Sequence, residues 1–207
     1  FGVAGGSGLL EMELYASEIS QLMDIEIDVV GFDSGVGLPP PTDYRDLPYL
    51  WAPGDFGMDV SKLKSRLGAS TLLLGPIADT LPAWLSDKQP DAPVGFVAID
   101  VDLWSSTCDC LTLFEAEPLT RLPRVWVYFD DIVATIPDVG ELLAIQQFND
   151  AHEQVKIRQP FNLRANVPLN PSWAEQMWQA HTFTHPQYSD LIVSSKHREL
   201  TLDDLRE

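Results

Sequence analysis

Four aspartates, Asp100, Asp102, Asp130 and Asp131, carry the clearest chemical signal in this sequence. Asp100 and Asp102 close the apolar run VGFVAIDVD, and Asp130 and Asp131 close RVWVYFDD. If the two runs are neighbouring strands, their carboxylates converge, which is unfavourable unless a cation neutralises them or one group keeps a proton. Oxygen ligands without His or Cys suit Mg²⁺, Mn²⁺ or Ca²⁺ rather than zinc. The plainer alternative is that one or two cap helices and the others face water.

A second set of residues has the pattern of a nucleoside site. The turn Gly2-Val-Ala-Gly5-Gly6-Ser7-Gly8 allows close backbone approach and aims a following helix N-terminus at a ligand. Asp33 ends the next strand, near the spacing at which an acid meets ribose hydroxyls, and a carboxylate there accepts two hydroxyl hydrogen bonds. A tight turn followed by a helix-capping Asp gives the same pattern. NAD is conceivable here, but the glycine spacing is not a clean G-x-G-x-x-G, and phosphates would sit badly beside four aspartates.

The elements needed to position these groups follow from the hydrophobic pattern. Leu9 to Met23 has a helical apolar face, and Ile25 to Phe32 is β-branched. Asp59 to Leu67, Asp79 to Ser86, Ser105 to Glu117 and Asp138 to His152 read as helices. Thr71 to Leu74, Val94 to Val101, Arg124 to Phe129, Val155 to Arg158 and Asp190 to Ser195 read as strands. Alternating strand and helix predicts an α/β, doubly wound, mostly parallel seven-stranded sheet with helices on both faces, and ligands beyond the strand carboxyl ends. Phe1 to Gly5 reads as the end of a clipped first strand. A single domain spans 1–207, with loop insertions at about 34–58 and 160–188.

Composition narrows the function classes. The 207 residues suffice for one core, and 45% hydrophobic with 21% charged residues excludes a disordered chain. A net charge of −18 argues against a nucleic-acid partner. No run reaches the length of a membrane span and no signal peptide is visible, so a cytoplasmic location is expected. Cys108 and Cys110 point to different helix faces, which disfavours a disulfide between them. His181 and His185 have i, i+4 spacing without an evident third ligand. Trp173, Trp178, Phe183 and Tyr188 suit a sugar pocket or ordinary packing equally well.

Segments Gly31-Phe-Asp-Ser34, Gly37-Leu-Pro39, Gly54-Asp-Phe56, Gly75-Pro-Ile-Ala-Asp-Thr-Leu-Pro82, Asp100-Val-Asp-Leu-Trp-Ser-Ser-Thr107 and Asp130-Asp131 occur in one order. In that order they resemble the macrocin O-methyltransferase family, class I enzymes acting on sugar hydroxyls. The resemblance covers about residues 1 to 135 and implies a Rossmann-like methyltransferase fold, S-adenosylmethionine and a divalent metal. It implies that Gly2, Gly5 and Gly6 line the methionine part, Asp33 with Ser34 the ribose, and Ile77, Ala78 and Asp79 the adenine. It further implies Asp100, Asp130 and Asp131 as ligands of Mg²⁺ or Mn²⁺, and Asp102 as general base. Gly35, Trp104 and Ile132 stand where the family often has Phe, Tyr and Tyr, which touches pocket walls more than ligands.

The expected function is thus an S-adenosylmethionine-dependent, metal-assisted O-methyltransferase of secondary metabolism. Its acceptor is a small molecule with vicinal oxygens, a sugar or glycosylated metabolite before a catechol, because chelation assists ionisation of such hydroxyls. An NAD-dependent oxidoreductase and a non-catalytic nucleoside-binding relative are the competing readings. No nucleic-acid or membrane partner is expected, and a homo-oligomer stays open.

Overall fold

The structure, a computed structural model, describes residues 1–87, 92–132 and 136–190. The elements in chain order are α1 (Ser7–Met23), β1 (Val30–Asp33), α2 (Val60–Lys64), β2 (Thr71–Leu74), α3 (Ile77–Asp87), β3 (Val94–Ile99), α4 (Trp104–Leu111), β4 (Arg121–Phe129), α5 (Gly140–Ala151), β5 (Val155–Arg158), α6 (Leu163–Asn166) and β6 (Met177–Thr182). Short 3₁₀ turns at Tyr44–Asp46, Thr112–Glu115, Pro118–Thr120 and Ser172–Glu175 lie between them.

The core forms where two periodicities meet. Along β4, Val125, Val127 and Phe129 are buried at alternate positions, and Val97 and Ile99 of β3 and Ala180 of β6 join them. Cys110, Leu111 and Phe114 come from α4 and the turn that follows it. Helix α5 buries Glu141, Ala144, Ile145, Phe148 and Asn149, the i, i+3, i+4, i+7, i+8 stripe of a helix on a sheet. The buried Asn149 amide accepts from Ile157 N at 2.8 Å and donates to Ile157 O at 2.8 Å, so β5 gains a side-chain substitute for a strand partner.

The doubly wound, mostly parallel seven-stranded sheet is corrected by the strand pairing. β1 and β2 form a two-stranded parallel sheet, and β3-β4-β6-β5 form a four-stranded mixed sheet. β3 and β4 are parallel, but β6 lies antiparallel to both β4 and β5 and separates them. The physical reason lies in Met177–Thr182, which turns Trp178, Ala180 and Thr182 toward the β4 core face. In sequence these residues lie within the Pro- and Asn-rich insertion at about 160–188. The strand expected at Asp190 to Ser195 lies outside the described residues beyond Asp190. Phe1 and Gly2 link the two sheets: Phe1 N donates to Ala98 O, Asp100 N donates to Phe1 O and Gly2 N donates to Phe32 O. Among the described residues no helix is long and apolar enough to cross a membrane.

One buried cation organises the far end of the core. Arg121 is 2% exposed, and its guanidinium donates to the Leu113, Phe114, Ala116 and Glu117 carbonyls and to Thr182 Oγ1. These carbonyls end the α4 region, where helical partners run out, so the arginine fork satisfies the buried Leu113 and Phe114 acceptors together with those of Ala116 and Glu117 nearer the surface. Replacing Arg121 by Met should lower unfolding stability by about 3 kcal/mol, because the buried Leu113 and Phe114 carbonyls and Thr182 Oγ1 lose their donor. Arg121→Lys should recover only part of it, since a point charge cannot span the same acceptors. Urea unfolding checks both, and wild-type stability in Arg121→Met would contradict this role.

Candidate functional site

β3 and β4 are parallel neighbours, so the segments after Ile99 and Phe129 emerge side by side. Asp130 N donates to Ile99 O at 3.0 Å, extending the pairing by one bond. The chain then turns sharply at Asp102. Leu103 N donates to Val101 O at 2.6 Å, and Asp102 between them has φ +61°. An i→i+2 bond around a positive-φ residue is a rare and strained γ-turn, the kind of backbone that concentrates at functional sites. Asp102 N donates to Asp131 Oδ2 at 2.9 Å, tying the strained turn to the other strand end.

These constraints bring one carboxylate oxygen each from Asp100, Asp102 and Asp131 within 4.8 Å of one another. Asp102 is buried, Asp131 half-buried, and Asp100 faces solvent. Burial, then Asp131, Asp100 and Asp130, push the Asp102 carboxyl up to about 7. Burial also raises Asp131, to about 6; Asp100 and Asp130 add to the rise, and the Asp102 N–H bond opposes it. Asp100 is raised by desolvation from the surrounding protein, then by Asp130. Three oxygen donors that resist ionising together are the donor chemistry a hard divalent cation fits.

Asp130 stands apart from this trio. Its Oδ1 accepts from Tyr128 Oη at 2.7 Å and from Gln176 Nε2 at 3.3 Å, and Gln176 Nε2 also donates to the Asp130 carbonyl at 2.9 Å. The carboxylate oxygens that approach one another thus come from Asp100, Asp102 and Asp131, while Asp130 Oδ1 is held by a tyrosine and a glutamine.

The glycine turn abuts this set. Gly2 has φ +75°, and a Cβ there would meet the Asp100 carbonyl at 1.6 Å, so Gly2 is required by contact with the strand end that carries the trio. Gly6, at φ +87°, packs under Leu63 of α2, whereas Gly5 faces open space. Asp33 Oδ2 accepts from Val3 N and Ala4 N at 2.8 and 3.0 Å, and Oδ1 accepts from Gly35 N at 2.6 Å. Three of about four carboxylate acceptor sites are therefore used, leaving room for one hydroxyl rather than two. Ser34 Oγ donates to Gly37 O at 2.7 Å. Gly75 N donates to Asp33 O at 2.9 Å, which sets Ile77, Ala78 and Asp79 at the start of α3 beside Asp33. Ile77 packs against the core, while Ala78 and Asp79 are exposed.

Sequence reasoning missed the residues that support the trio. Asp46 is fully buried and accepts from Thr42 N, Thr42 Oγ1, Ser105 N and Ser105 Oγ at 2.6, 2.6, 2.8 and 3.1 Å. Burial pushes its carboxyl up, but the Thr42 and Ser105 bonds outweigh that and leave it lowered. It caps α4 from 59 residues away, where the helix's own N-cap, Leu103, offers no acceptor. Arg45 lies over the Trp104 ring at 3.4 Å and pairs with Asp43. Glu141 is fully buried, accepts from Asp131 N at 2.9 Å, and is raised well above the ordinary carboxylate range by burial, then by Asp131. An acid four residues after Pro137 reads as a helix start, and no sequence signal links it to Asp131.

No family model, curated protein or solved structure matches this chain. Chemistry must therefore be argued from its own side chains. His181 Nδ1 lies 2.8 Å from Tyr188 Oη, and His185 Nδ1 accepts from Gln187 N, so neither joins the carboxylates. Trp178 packs edge-on against Phe129, while Trp173 stays half exposed at 47%. Cys108 and Cys110 are free thiols.

The raised carboxylates give a signed expectation. Folded Asp102 and Asp131 hold protons more tightly than the unfolded chain, so stability falls as pH rises from about 4 to about 7. Above that window millimolar Mn²⁺ should restore the lost stability, because a ligand of the folded state alone raises the melting temperature. Asp102→Asn should flatten both responses. A melting temperature that neither falls with pH nor responds to Mn²⁺ would contradict this picture.

Proposed function

We propose that the chain is an S-adenosylmethionine-dependent, divalent-cation-assisted O-methyltransferase acting on a small molecule with vicinal oxygens. The observation that carries the reading is the convergence of Asp100, Asp102 and Asp131 directly beside the glycine turn, through the Gly2–Asp100 contact. The sequence resemblance to macrocin O-methyltransferases adds the identity of the transferred group.

Asp100 and Asp131 would hold Mg²⁺ or Mn²⁺, whose chemistry is to stabilise an ionising hydroxyl near neutral pH. S-adenosylmethionine would supply the methyl group, its bond to sulfur breaking as the bond to the acceptor oxygen forms, and would leave as S-adenosylhomocysteine. Asp102 accepts the hydroxyl proton. The cation would bring the acceptor hydroxyl's ionisation toward the range that an adjacent aspartate can serve as base. The γ-turn fixes this carboxylate, and the Asp131 bond keeps it beside the cation ligands. Gly5, facing open space, leaves room for the methionine part, and Asp33 keeps one acceptor for a ribose hydroxyl.

Melting with S-adenosylhomocysteine, S-adenosylmethionine and NAD, each with and without Mg²⁺, tests the cofactor. S-adenosylhomocysteine should stabilise the fold; stabilisation by NAD alone would overturn the proposal. With radiolabelled S-adenosylmethionine and a panel of sugar diols and catechols, chelator should abolish transfer. Asp102→Asn should lose about 10²- to 10⁴-fold in rate while retaining S-adenosylhomocysteine.

A further inference from the structure

The geometry points to Glu141 as the positioning residue of the proposed cation site, a carboxyl that holds the main chain of Asp131 so that its side chain meets Asp100 and Asp102. The inference rests on the cation reading given above.

Three observations support it. Glu141 has no exposed surface, and its Oε2 accepts from Asp131 N at 2.9 Å. Among the described residues its Oε1 is buried without a hydrogen-bond partner, although buried polar atoms are normally satisfied. Finally, Glu141 lies in the first turn of α5, yet the bond described for Oε2 reaches across to Asp131 rather than to a helix N–H. A helix start is served more cheaply by Ser, Thr or Asp at the N-cap, where the acid stays in water. A buried carboxyl with an orphan oxygen breaks the local rules of stability, and such departures concentrate where function demands them.

The consequence is a continuous relay of held groups. The Glu141 carboxyl fixes Asp131 N, the Asp131 carboxylate fixes Asp102 N, and Asp102 sits in the strained turn. Asp130 N, one residue earlier, is held by Ile99 O. Removing the Glu141 acceptor frees the Asp131 backbone while leaving every carboxylate of the trio in the sequence. Outer groups that orient ligands in this way typically contribute about 10- to 100-fold in metal affinity.

The test is calorimetric titration of Mn²⁺ into the full chain and its Glu141→Gln and Glu141→Leu variants, with exchange of the Asp131 amide followed by NMR. Glu141→Gln keeps an acceptor oxygen and should bind Mn²⁺ within about 3-fold of wild type; Glu141→Leu should bind at least about 10-fold more weakly. The Asp131 amide should exchange faster only in Glu141→Leu. Wild-type affinity in Glu141→Leu would overturn the inference. So would a 10-fold loss in Glu141→Gln, which would mean that the charge acts directly, and this arm stands even if Glu141→Leu does not fold. Absence of Mn²⁺ binding by the wild type would overturn the cation reading itself, whereas an Asp131 amide protected equally in all three proteins would overturn only the positioning role.

Discussion

Everything proposed for this protein depends on one constraint: three carboxylates are held together by backbone bonds they did not choose for their own electrostatics. Asp102 N reaches the Asp131 carboxylate, Asp131 N reaches Glu141, and the 2.6 Å bond across Asp102 forces its φ to +61°. Mutual repulsion and burial oppose that arrangement, as the raised carboxyls of Asp102 and Asp131 report. Such crowding at the mouth of parallel strands costs stability, which a bound cation would offset.

The rest of the structure can be understood as bracing for that arrangement. β3 and β4 fix the two strand ends in parallel register. The Asp46 carboxylate clamps residues 42–46 onto the start of α4, so the helix following Asp102 is anchored from a distant segment. Leu103 and Thr107 are fully buried, and Thr107 Oγ1 donates to Leu103 O at 2.8 Å. The Ser-Ser-Thr part of the DVDLWSST stretch is therefore occupied by packing and capping, while its aspartates face the site. Gly2 belongs to the same bracing, since its missing side chain lets the glycine turn lie on the Asp100 carbonyl.

Much of this was legible in the sequence, and the failures have physical causes. Val94 to Val101 and Arg124 to Phe129 read as core strands from their apolar runs, and their terminal aspartates pointed to the site. Only the face carrying Val97, Ile99, Val125, Val127 and Phe129 is buried, however, while Phe96 and Trp126 are exposed. Period and length could not reveal that Met177–Thr182 is a strand. Its partner β4 lies about 50 residues back along the chain and β5 about 20 to 30 back, and its flanks are rich in Pro and Asn, so the parallel seven-stranded expectation failed there. Sequence also cannot tell which of two adjacent aspartates turns toward a neighbour: Tyr128 and Gln176 engage Asp130, leaving Asp131 for the trio. Asp46 and Glu141 were invisible for the same reason. Their roles arise from contacts with Ser105 and Asp131, which only the fold brings near.

The most direct measurement is anomalous diffraction from crystals of the protein soaked in Mn²⁺. The expected result is a manganese peak bound by the carboxylates of Asp100 and Asp131, with Asp102 adjacent and Asp130 still engaged by Tyr128. Manganese bound by Asp130 instead, or no peak among these residues, would contradict it.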